Sequence, residues 1–256
     1  MEQLVRLKTV LQGMKSVLVT FSGGVDSTFL AKVAADTLGT RAVAVTAVSA
    51  SLPQAELDEA KSLAQRIGIR HELVFSKELD NPRYASNPIN RCYFCKSELF
   101  ALAARKAKEW GLSVVVDGTQ RDDLKDVRPG RQAVKEWGVR SPLVEAGFTK
   151  EEIRQASKAL GLPTWDKPAM ACLASRIPTG TPVTWGRLRQ VEQCEAALKS
   201  LGFRELRARH HGEMVSLELD SLQRLSNPIL RDKVIEAAFG AGFKRVLLDL
   251  TGRGRS

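Results

Sequence analysis

The first half of the chain alternates between short continuous apolar runs and longer segments with apolar residues at helical spacing. The runs predict buried β-strands at 16–21, 42–48, 71–75 and 113–117. The helical spacing predicts helices at 2–14, 28–38, 54–67 and 96–110, and the last three end before a glycine. Continuous apolar strands that alternate with helices are typical of a parallel sheet covered on both faces, so this half is predicted to be α/β.

The pattern changes in the second half of the chain. A helix predicted at 149–160 begins with a capping box, because Thr149 precedes Glu152 by three residues. Four prolines at 161–183 indicate a connection or an active-site loop. Beyond it we predict helices at 184–201 and 221–239 and strands at 203–209, 214–219 and 244–250. We therefore expect a domain over 1–177 and a second, smaller α/β domain over 178–256.

A glycine-containing loop joins the first predicted strand to the second predicted helix. Its sequence is Ser22-Gly23-Gly24-Val25-Asp26-Ser27-Thr28. Glycines let the backbone approach an anion closely, and a helix N-terminus offers free N–H groups and the positive end of its dipole. Hydroxyl side chains add donors, and no Gly-Lys-[Ser/Thr] of a Walker A loop follows. The loop is therefore predicted to bind phosphate groups.

The four cysteines lie in different surroundings. Cys92 and Cys95 form a C-x-x-C motif at a predicted helix entrance, and Cys172 lies in the proline-rich segment. Zinc would usually need a fourth ligand, which the histidines do not supply at a suitable spacing. Three thiolates suit an iron–sulfur cluster with one open iron, while a redox pair, a sulfur-carrying thiol and a structural role are the alternatives. Cys194 lies among apolar residues of a helix and is expected in the core.

Composition narrows the classes of function. The 256 residues are 43% hydrophobic, which excludes a disordered chain, and carry 39 Lys and Arg against 29 Asp and Glu. The resulting charge of +10 suits nucleic acid, but without a block of five like charges it suits phosphorylated small molecules equally well. No apolar run reaches the roughly 18 residues of a membrane span, and the N-terminus lacks a signal-peptide layout. We expect a cytoplasmic protein with reduced thiols and no membrane partner.

The loop resembles that of the PP-loop ATP pyrophosphatases, and nearly the whole chain resembles one branch of them, the LarE sulfur transferases. The matching segments are NRCYFCKSELF at 90–100, DGTQRDDLKDVRPG at 117–130, SPLVEAGFTKEEIR at 141–154, GLPTWDKPAMACLASRIPTGTPVT at 161–184 and LGFRELRARHHG at 201–212. The glycine loop is shared by PP-loop enzymes, whereas the CLASR and RPG segments are much more specific. The resemblance implies a PP-loop α/β domain followed by a smaller α/β domain.

The implied activity is ATP-dependent sulfur transfer to a nucleotide. Such enzymes hold the β- and γ-phosphates of ATP, with Mg²⁺, and transfer AMP to a carboxylate of pyridinium-3,5-biscarboxylic acid mononucleotide. Sulfur then displaces AMP and gives a thiocarboxylate on the way to the nickel-pincer nucleotide cofactor of lactate racemase. The implied ATP-binding residues are Ser22, Gly23, Gly24, Asp26, Ser27, Thr28, Thr46, Ala47, Gly118 and Thr119.

The resemblance also implies roles for the cysteines and for two cations. In a sacrificial version, Cys172 attacks the acyl-adenylate, loses its sulfur and becomes dehydroalanine. In a cluster version, Cys92, Cys95 and Cys172 hold a [4Fe-4S] cluster, and this version is favoured because all three cysteines are present. Lys96 and Arg176 are expected to neutralise the carboxylate or the α-phosphate, with solvated surface cations as the alternative.

The remaining implied site residues are charged or hydroxylated. Arg207 and Arg209 share one strand face and suit the 5′-phosphate of the substrate, with Ser175 beside them. The acidic candidates for Mg²⁺, for the nucleotide or for pairing with these arginines are Asp122, Asp123, Glu195 and Glu218. Gln120 departs from the family pattern, in which an Asn is expected after Gly-Thr.

Three rival classes stay open at this point. A tRNA thiolation enzyme also combines a PP-loop, a C-x-x-C and a basic surface, but no aromatic-plus-basic RNA-binding module is evident, so nucleic acid is not the expected partner. An amidotransferase-type ATP ligase would use ammonia and would be indifferent to the cysteines. A nucleotide-binding module without enzymatic activity would not turn ATP over. The expected partners are a sulfur donor, further copies of the chain and a downstream nickel-insertion protein.

Overall fold

The computed structural model describes residues 2–125, 129–169 and 171–252. Helices are α1 Glu2–Gly13, α2 Val25–Leu38, α3 Gln54–Ile67, α4 Pro82–Ala85, α5 Arg91–Glu109, α6 Gly130–Glu136, α7 Pro142–Glu145, α8 Lys150–Ala159, α9 Trp185–Ser200 and α10 Pro228–Gly240. Strands are β1 Val17–Thr20, β2 Ala42–Val48, β3 Arg70–Phe75, β4 Val114–Val116, β5 Leu206–His211, β6 Met214–Leu219 and β7 Arg245–Leu248. Within the described ranges, no helix has both the length and the apolar character needed to cross a membrane.

The chain separates into two compact units. The first comprises Met1–Glu78 and Asn90–Met170, and the second comprises Leu79–Ile89 and Ala171–Ser256. The segment 79–89 belongs to the second unit because Asn87 donates its amide to the carbonyls of Pro178 (2.8 Å) and Thr181 (2.9 Å). Compact units defined by contacts need not coincide with domains that fold alone, so the predicted boundary after residue 177 stays a prediction.

A four-stranded parallel sheet forms the centre of the first unit. Its strand order is β3-β2-β1-β4, and all three pairings are parallel. Successive side chains of a strand point to opposite faces, so Val17 and Val19 join one apolar core and Leu18 joins another. Helices α1, α2, α3 and α8 supply the first core, and α5 and α6 supply the second. The predicted parallel sheet with helices on both faces is confirmed.

A smaller mixed sheet forms the second unit. Strands β5 and β6 pair antiparallel, β6 and β7 pair parallel, and the order is β5-β6-β7. Helices α9 and α10 pack on it through Leu198, Val234 and Ala238, which are buried with Val215 and Leu217. The prediction that this part of the chain has a smaller α/β fold is confirmed.

One predicted helix is wrong in its extent. The segment predicted as a single helix at 221–239 contains a short 3-10 helix, Leu222–Ser226, followed by α10 from Pro228. Proline has no N–H and suits the first turn of a helix, and Asn227 caps that turn by accepting from the N–H groups of Ile229 and Leu230. The Asn-Pro pair therefore starts a new helix.

Two helices begin earlier than predicted, and this changes where functional residues lie. Helix α2 begins at Val25, so Asp26 and Ser27 lie in its first turn. Helix α5 begins at Arg91, so both cysteines of the C-x-x-C motif lie inside the helix. The predicted capping box of α8 is confirmed, because Thr149 and Glu152 exchange side-chain and backbone hydrogen bonds.

Candidate active site

The glycine loop connects the carboxyl end of β1 to the N-terminus of α2. Gly23 has φ +69°, in the left-handed region that favours glycine. A Cβ there would lie 3.3 Å from Cα and Cβ of Ala60 on α3, so close packing also favours glycine. Gly24 is the extended N-cap residue of α2 and, having no side chain, cannot cap the helix. The first N–H groups of α2 are therefore left for a ligand at the loop.

The three hydroxyl groups of the loop have different surroundings. Ser27 donates its Oγ–H to the carbonyl of Gly24 (3.2 Å) and lies 3.1 Å from Oγ of Ser22. Ser22 is exposed, whereas Thr28 is fully buried. The Thr28 hydroxyl makes no hydrogen bond to the described part of the chain. Ser27 therefore shapes the loop, and Ser22 is the accessible hydroxyl.

Asp26 is paired with a lysine that sequence reasoning missed. Nζ of Lys150, the first residue of α8, lies 2.8 and 2.7 Å from the two carboxylate oxygens of Asp26. Burial raises the pKa of Asp26 above its ordinary value, and the hydrogen bond and charge of Lys150 act in the opposite direction. The pair places a carboxylate and an ammonium group side by side at the N-terminus of α2.

The carboxylates of the neighbouring residues Asp122 and Asp123 accept hydrogen bonds from backbone N–H groups. Asp122 accepts from the N–H of Lys150 (2.9 Å), and this bond and the one from Lys125 lower the pKa of Asp122. Asp123 accepts from the N–H of Gln120 (3.2 Å). In return, Gln120 accepts from the N–H of Asp122 (2.6 Å), so the residue that departs from the family pattern is part of a capping box.

The other predicted ATP-binding residues lie near the carboxyl ends of β2 and β4. Thr46 and Ala47 are among the last residues of β2, and Gly118 and Thr119 follow β4. Thr46 is buried, donates its hydroxyl to the carbonyl of Phe21 (2.7 Å) and lies 2.8 Å from Nε2 of His71. Ala47 follows it on β2 and is half-buried. The Thr46 hydroxyl is thus used inside the protein, so we expect any nucleotide contact of Thr46 to use its backbone.

Gly118 and Thr119 follow β4. A Cβ on Gly118 would lie 3.1 Å from the backbone nitrogen of Ser27, so the chain after β4 packs directly on the first turn of α2. Thr119 donates its hydroxyl to Asp117 (2.5 Å). Because β1, β2 and β4 are parallel, the glycine loop and both predicted strand-end segments lie at one edge of the sheet, as predicted.

The C-x-x-C cysteines and Lys96 lie in the first turns of α5. Cys92 is exposed and Cys95 is half-buried. The stem of Lys96 packs against Gly130, where a Cβ would lie 2.7 Å from Cδ of Lys96. The arginine of the RPG segment, residue 128, lies outside the described residues. Among the described residues, no group of three or more His, Cys, Asp or Glu side chains is arranged to hold a metal ion.

Cys172 precedes a short 3-10 helix in the second unit, Leu173–Arg176. Its side chain is exposed, whereas the side chain of Arg176 is buried. The Arg176 guanidinium donates to both carboxylate oxygens of Glu195 (2.8 and 3.0 Å) and to the carbonyls of Ala171 (2.7 Å) and Cys172 (3.2 Å). Arg176 thus fixes the backbone that carries the cysteine, and its predicted contact with a substrate stays a prediction.

The two arginines predicted to bind phosphate lie on β5, half-buried. Arg209 donates to Glu218 (2.6 Å) and to the carbonyl of Ser175 (3.0 Å). Arg207 lies directly opposite Glu218 in the antiparallel pairing. The structure therefore brings together Arg207, Arg209, Glu218 and Ser175, all within the second unit.

Cys194 differs from the other cysteines. It is fully buried on α9, and burial raises the pKa of its thiol to about 12. A thiol with so high a pKa is a poor nucleophile and a poor metal ligand at neutral pH. The prediction that Cys194 is a core residue is confirmed.

The fold and the loop define the class of protein. A glycine loop at the carboxyl end of β1, in a parallel sheet of order β3-β2-β1-β4, is that of a PP-loop nucleotide-binding α/β protein. A sequence model of the family described as NAD synthase matches residues 1–84.

Relatives extend the likeness over the whole chain. The chain is 46% identical over 252 residues to an uncharacterized protein of Synechocystis sp., covering 98% of this chain and 94% of the relative. It is 35% identical to the pyridinium-3,5-bisthiocarboxylic acid mononucleotide synthase of Lactiplantibacillus plantarum, covering 96% of this chain and 90% of the relative. A GMP synthase of Aeropyrum pernix is 28% identical over 70% of this chain and 38% of the relative. The chain belongs to the LarE family, the family of that mononucleotide synthase.

Proposed function

We propose that this chain is an ATP-dependent sulfurtransferase that converts a carboxylate of pyridinium-3,5-biscarboxylic acid mononucleotide into a thiocarboxylate, for nickel-pincer cofactor synthesis. The observation that supports this best is the 35% identity, over 96% of the chain, to a relative named as the corresponding synthase. The glycine loop adds a site for a nucleotide polyphosphate. The product would pass to a nickel-insertion protein.

The first proposed step is adenylation. A substrate carboxylate oxygen attacks the α-phosphorus of ATP, the bond from the α-phosphorus to the bridging oxygen of the β-phosphate breaks, and pyrophosphate leaves. The N–H groups of the glycine loop and of the first turn of α2 bind the β- and γ-phosphates, with Ser22 as an added donor. Asp26 would hold Mg²⁺, which would neutralise charge on the polyphosphate, and Lys150, whose Nζ lies 2.7 Å from Asp26, would then meet a phosphate. We propose Lys96 as the cation that meets the carboxylate.

The second unit is proposed to hold the substrate phosphate. Arg207 and Arg209 supply two guanidiniums on one strand face, and an arginine fork suits a phosphate bidentately. Glu218 orients Arg209 through a hydrogen bond of 2.6 Å. The carbonyl of Ser175 accepts from Arg209, so the phosphate site and the backbone near Cys172 are joined directly.

The sulfur is proposed to arrive through Cys92, Cys95 and Cys172. These three thiols are exposed or half-buried, whereas Cys194 is buried, so the donor chemistry fits a [4Fe-4S] cluster with three thiolate ligands. When bound, such a cluster would supply the sulfur that enters the thiocarboxylate. Arg176 positions the Cys172 ligand by binding the carbonyls of Ala171 and Cys172.

The sacrificial route is the second candidate. It is favoured by the exposure of the Cys172 side chain, which a substrate can reach. In it, the Cys172 thiolate attacks the acyl-adenylate and AMP leaves. Loss of the Cα proton then breaks the Cβ–S bond, so the sulfur stays on the substrate and the residue becomes dehydroalanine.

The activity is tested by incubating the protein with the dicarboxylate mononucleotide, MgATP and sulfide under anaerobic conditions. We expect AMP, pyrophosphate and a product in which sulfur replaces one oxygen, as seen by mass spectrometry. Parallel reactions replace the sulfide with ammonia, or the mononucleotide with tRNA. An amide product, or thiolation of tRNA alone, would contradict the proposal and support a rival class.

The route of the sulfur is tested on the protein itself. We expect anaerobically prepared protein to be brown, to absorb in the iron–sulfur region and to lose this absorption in Cys92→Ala. The matched control is Cys194→Ala, which should keep the absorption because Cys194 is buried in the core of the second unit. A colourless, active protein whose Cys172 loses the mass of H₂S would refute the cluster route and establish the sacrificial one.

A further inference from the structure

Lys167 is a nearly buried lysine that lies behind the glycine loop in the first unit. Its side chain is 12% exposed, and Nζ lies 2.9 Å from Glu56 and 2.8 Å from Glu59, both on α3. The same ammonium also donates to the carbonyl oxygen of Gly23 (3.3 Å). One cation therefore ties the turn of the loop to α3.

Gly23 is held to α3 from two sides. A Cβ on Gly23 would lie 3.3 Å from Cα and Cβ of Ala60, one turn along the helix from Glu56, and the Gly23 carbonyl accepts from Lys167. Glycine lies on both sides of the peptide between Gly23 and Gly24, so this peptide can rotate more readily than most. The bond from Lys167 to the Gly23 carbonyl and the bond from the N–H of Gly24 to Oγ of Ser22 (3.4 Å) together fix its plane.

The segment that carries Lys167 is itself fixed. Arg154 on α8 donates to the carbonyls of Trp165 (2.7 Å) and Lys167 (3.0 Å). Lys158, also on α8, places its ammonium 4.4 Å from the centre of the Trp165 ring. The backbone that carries Lys167 is therefore fixed. The side-chain entropy of the lysine is lost on folding and not when a ligand binds.

We propose that Lys167 is a positioning residue for phosphate binding, which holds the Gly23 carbonyl so that the loop N–H groups stay aimed at the polyphosphate of ATP. This inference rests on the proposed use of ATP at the loop. A carbonyl free to turn toward the phosphates would repel them and would misdirect the adjacent N–H group. Lys167 prevents both without touching the nucleotide.

Charge alone is the competing explanation, and the chain allows it to be separated. The two carboxylates and one ammonium carry one net negative charge, and Lys167→Met raises this to two beside the loop. The double variant Lys167→Met with Glu56→Gln restores the single negative charge and removes the buried unpaired carboxylate of Glu56. It still lacks the bond to the Gly23 carbonyl.

The test measures equilibrium binding of MgATP and the melting temperature of the full-length protein. We expect Lys167→Met to weaken MgATP binding at least tenfold and to lower the melting temperature. The double variant should recover most of the melting temperature but keep the tenfold loss. The matched control is Lys61→Met on α3. The Lys61 ammonium pairs with exposed Asp58, so this variant should change neither quantity.

Two results would overturn the inference. Recovery of ATP affinity in the double variant would make the effect of Lys167 one of charge or stability. Wild-type affinity in Lys167→Met would show that the carbonyl needs no support. If the single variant does not fold, the double variant carries the comparison. Failure of the wild-type protein to bind MgATP would instead refute the proposed function, so the two failures are distinguishable.

Discussion

The buried ion pair between Arg176 and Glu195 gives the sharpest prediction about the segment that carries Cys172. The two residues are 5% and 6% exposed, and the carboxylate also accepts from the N–H of Ala208 (3.0 Å). Glu195→Ala leaves a buried guanidinium without a counter-ion and a buried N–H without an acceptor. Removing one partner of a buried pair costs about 3–5 kcal/mol, because the other charge stays desolvated.

The expected loss is large against the stability of a folded protein, which is about 5–15 kcal/mol. For a chain of about this length, each kcal/mol shifts the melting temperature by roughly 2–4 °C. We therefore expect Glu195→Ala to lower the melting temperature of the protein by more than about 6 °C, as followed by circular dichroism. The same variant should slow sulfur transfer more than AMP formation, because Arg176 then loses its hold on the backbone of Cys172.

The matched control is Glu213→Ala, which removes a pair with Lys244 whose side chains are both 70% exposed. Exposed pairs contribute little, so its melting temperature should stay close to that of the wild type. If Glu195→Ala melts at the same temperature as Glu213→Ala, the buried pair does not hold the segment and the reasoning is refuted.

Three further predictions concern single residues. Cys194, whose pKa is raised to about 12, should resist alkylation by iodoacetamide in the native protein while Cys92 reacts, and peptide mass spectrometry that finds Cys194 modified first would contradict its placement. Gly130→Ala should reduce carboxylate adenylation, because its Cβ would lie 2.7 Å from the stem of Lys96, and unchanged kinetics would argue against that contact. Lys150→Met should move the pKa of Asp26 further upward, because Lys150 opposes the effect of burial, and a carboxyl titration by NMR that moves downward would contradict the pairing. Since the folded pKa of Asp26 lies above that of the unfolded chain, its contribution to stability is present below pH 3.8 and is lost as the pH rises through the folded value.

The sheet of the first unit could be predicted because its strands are buried on both faces. Such strands are continuous apolar runs, and β2 has the predicted bounds, Ala42–Val48. The start of α5 was missed although Asn90 is a residue type favoured at the N-cap, and in the structure its side chain makes no capping hydrogen bond. The break before Pro228 did have a signal, in the Asn-Pro pair that precedes it.

The site shows a similar division. The glycine loop is local in sequence, so its position between β1 and α2 was predictable. The partners of its residues are distant, since Lys150 meets Asp26 across 124 positions and Lys167 meets Glu56 across 111. No helical or strand periodicity encodes such contacts, and a lysine in a loop is usually a solvated cation. The contacts of Arg176 inside the protein could not be predicted for the same reason. The charge of an arginine is equally compatible with binding a ligand and with a buried ion pair.

The most direct test of the proposed chemistry follows oxygen through the reaction. The dicarboxylate mononucleotide, labelled with ¹⁸O in its carboxylates, is incubated with the protein, MgATP and a sulfur source, and the AMP is analysed by mass spectrometry. Attack of a carboxylate on the α-phosphorus of ATP predicts one ¹⁸O in AMP for each sulfur inserted. Thiocarboxylate formed with unlabelled AMP, or labelled oxygen found in inorganic phosphate, would contradict the account.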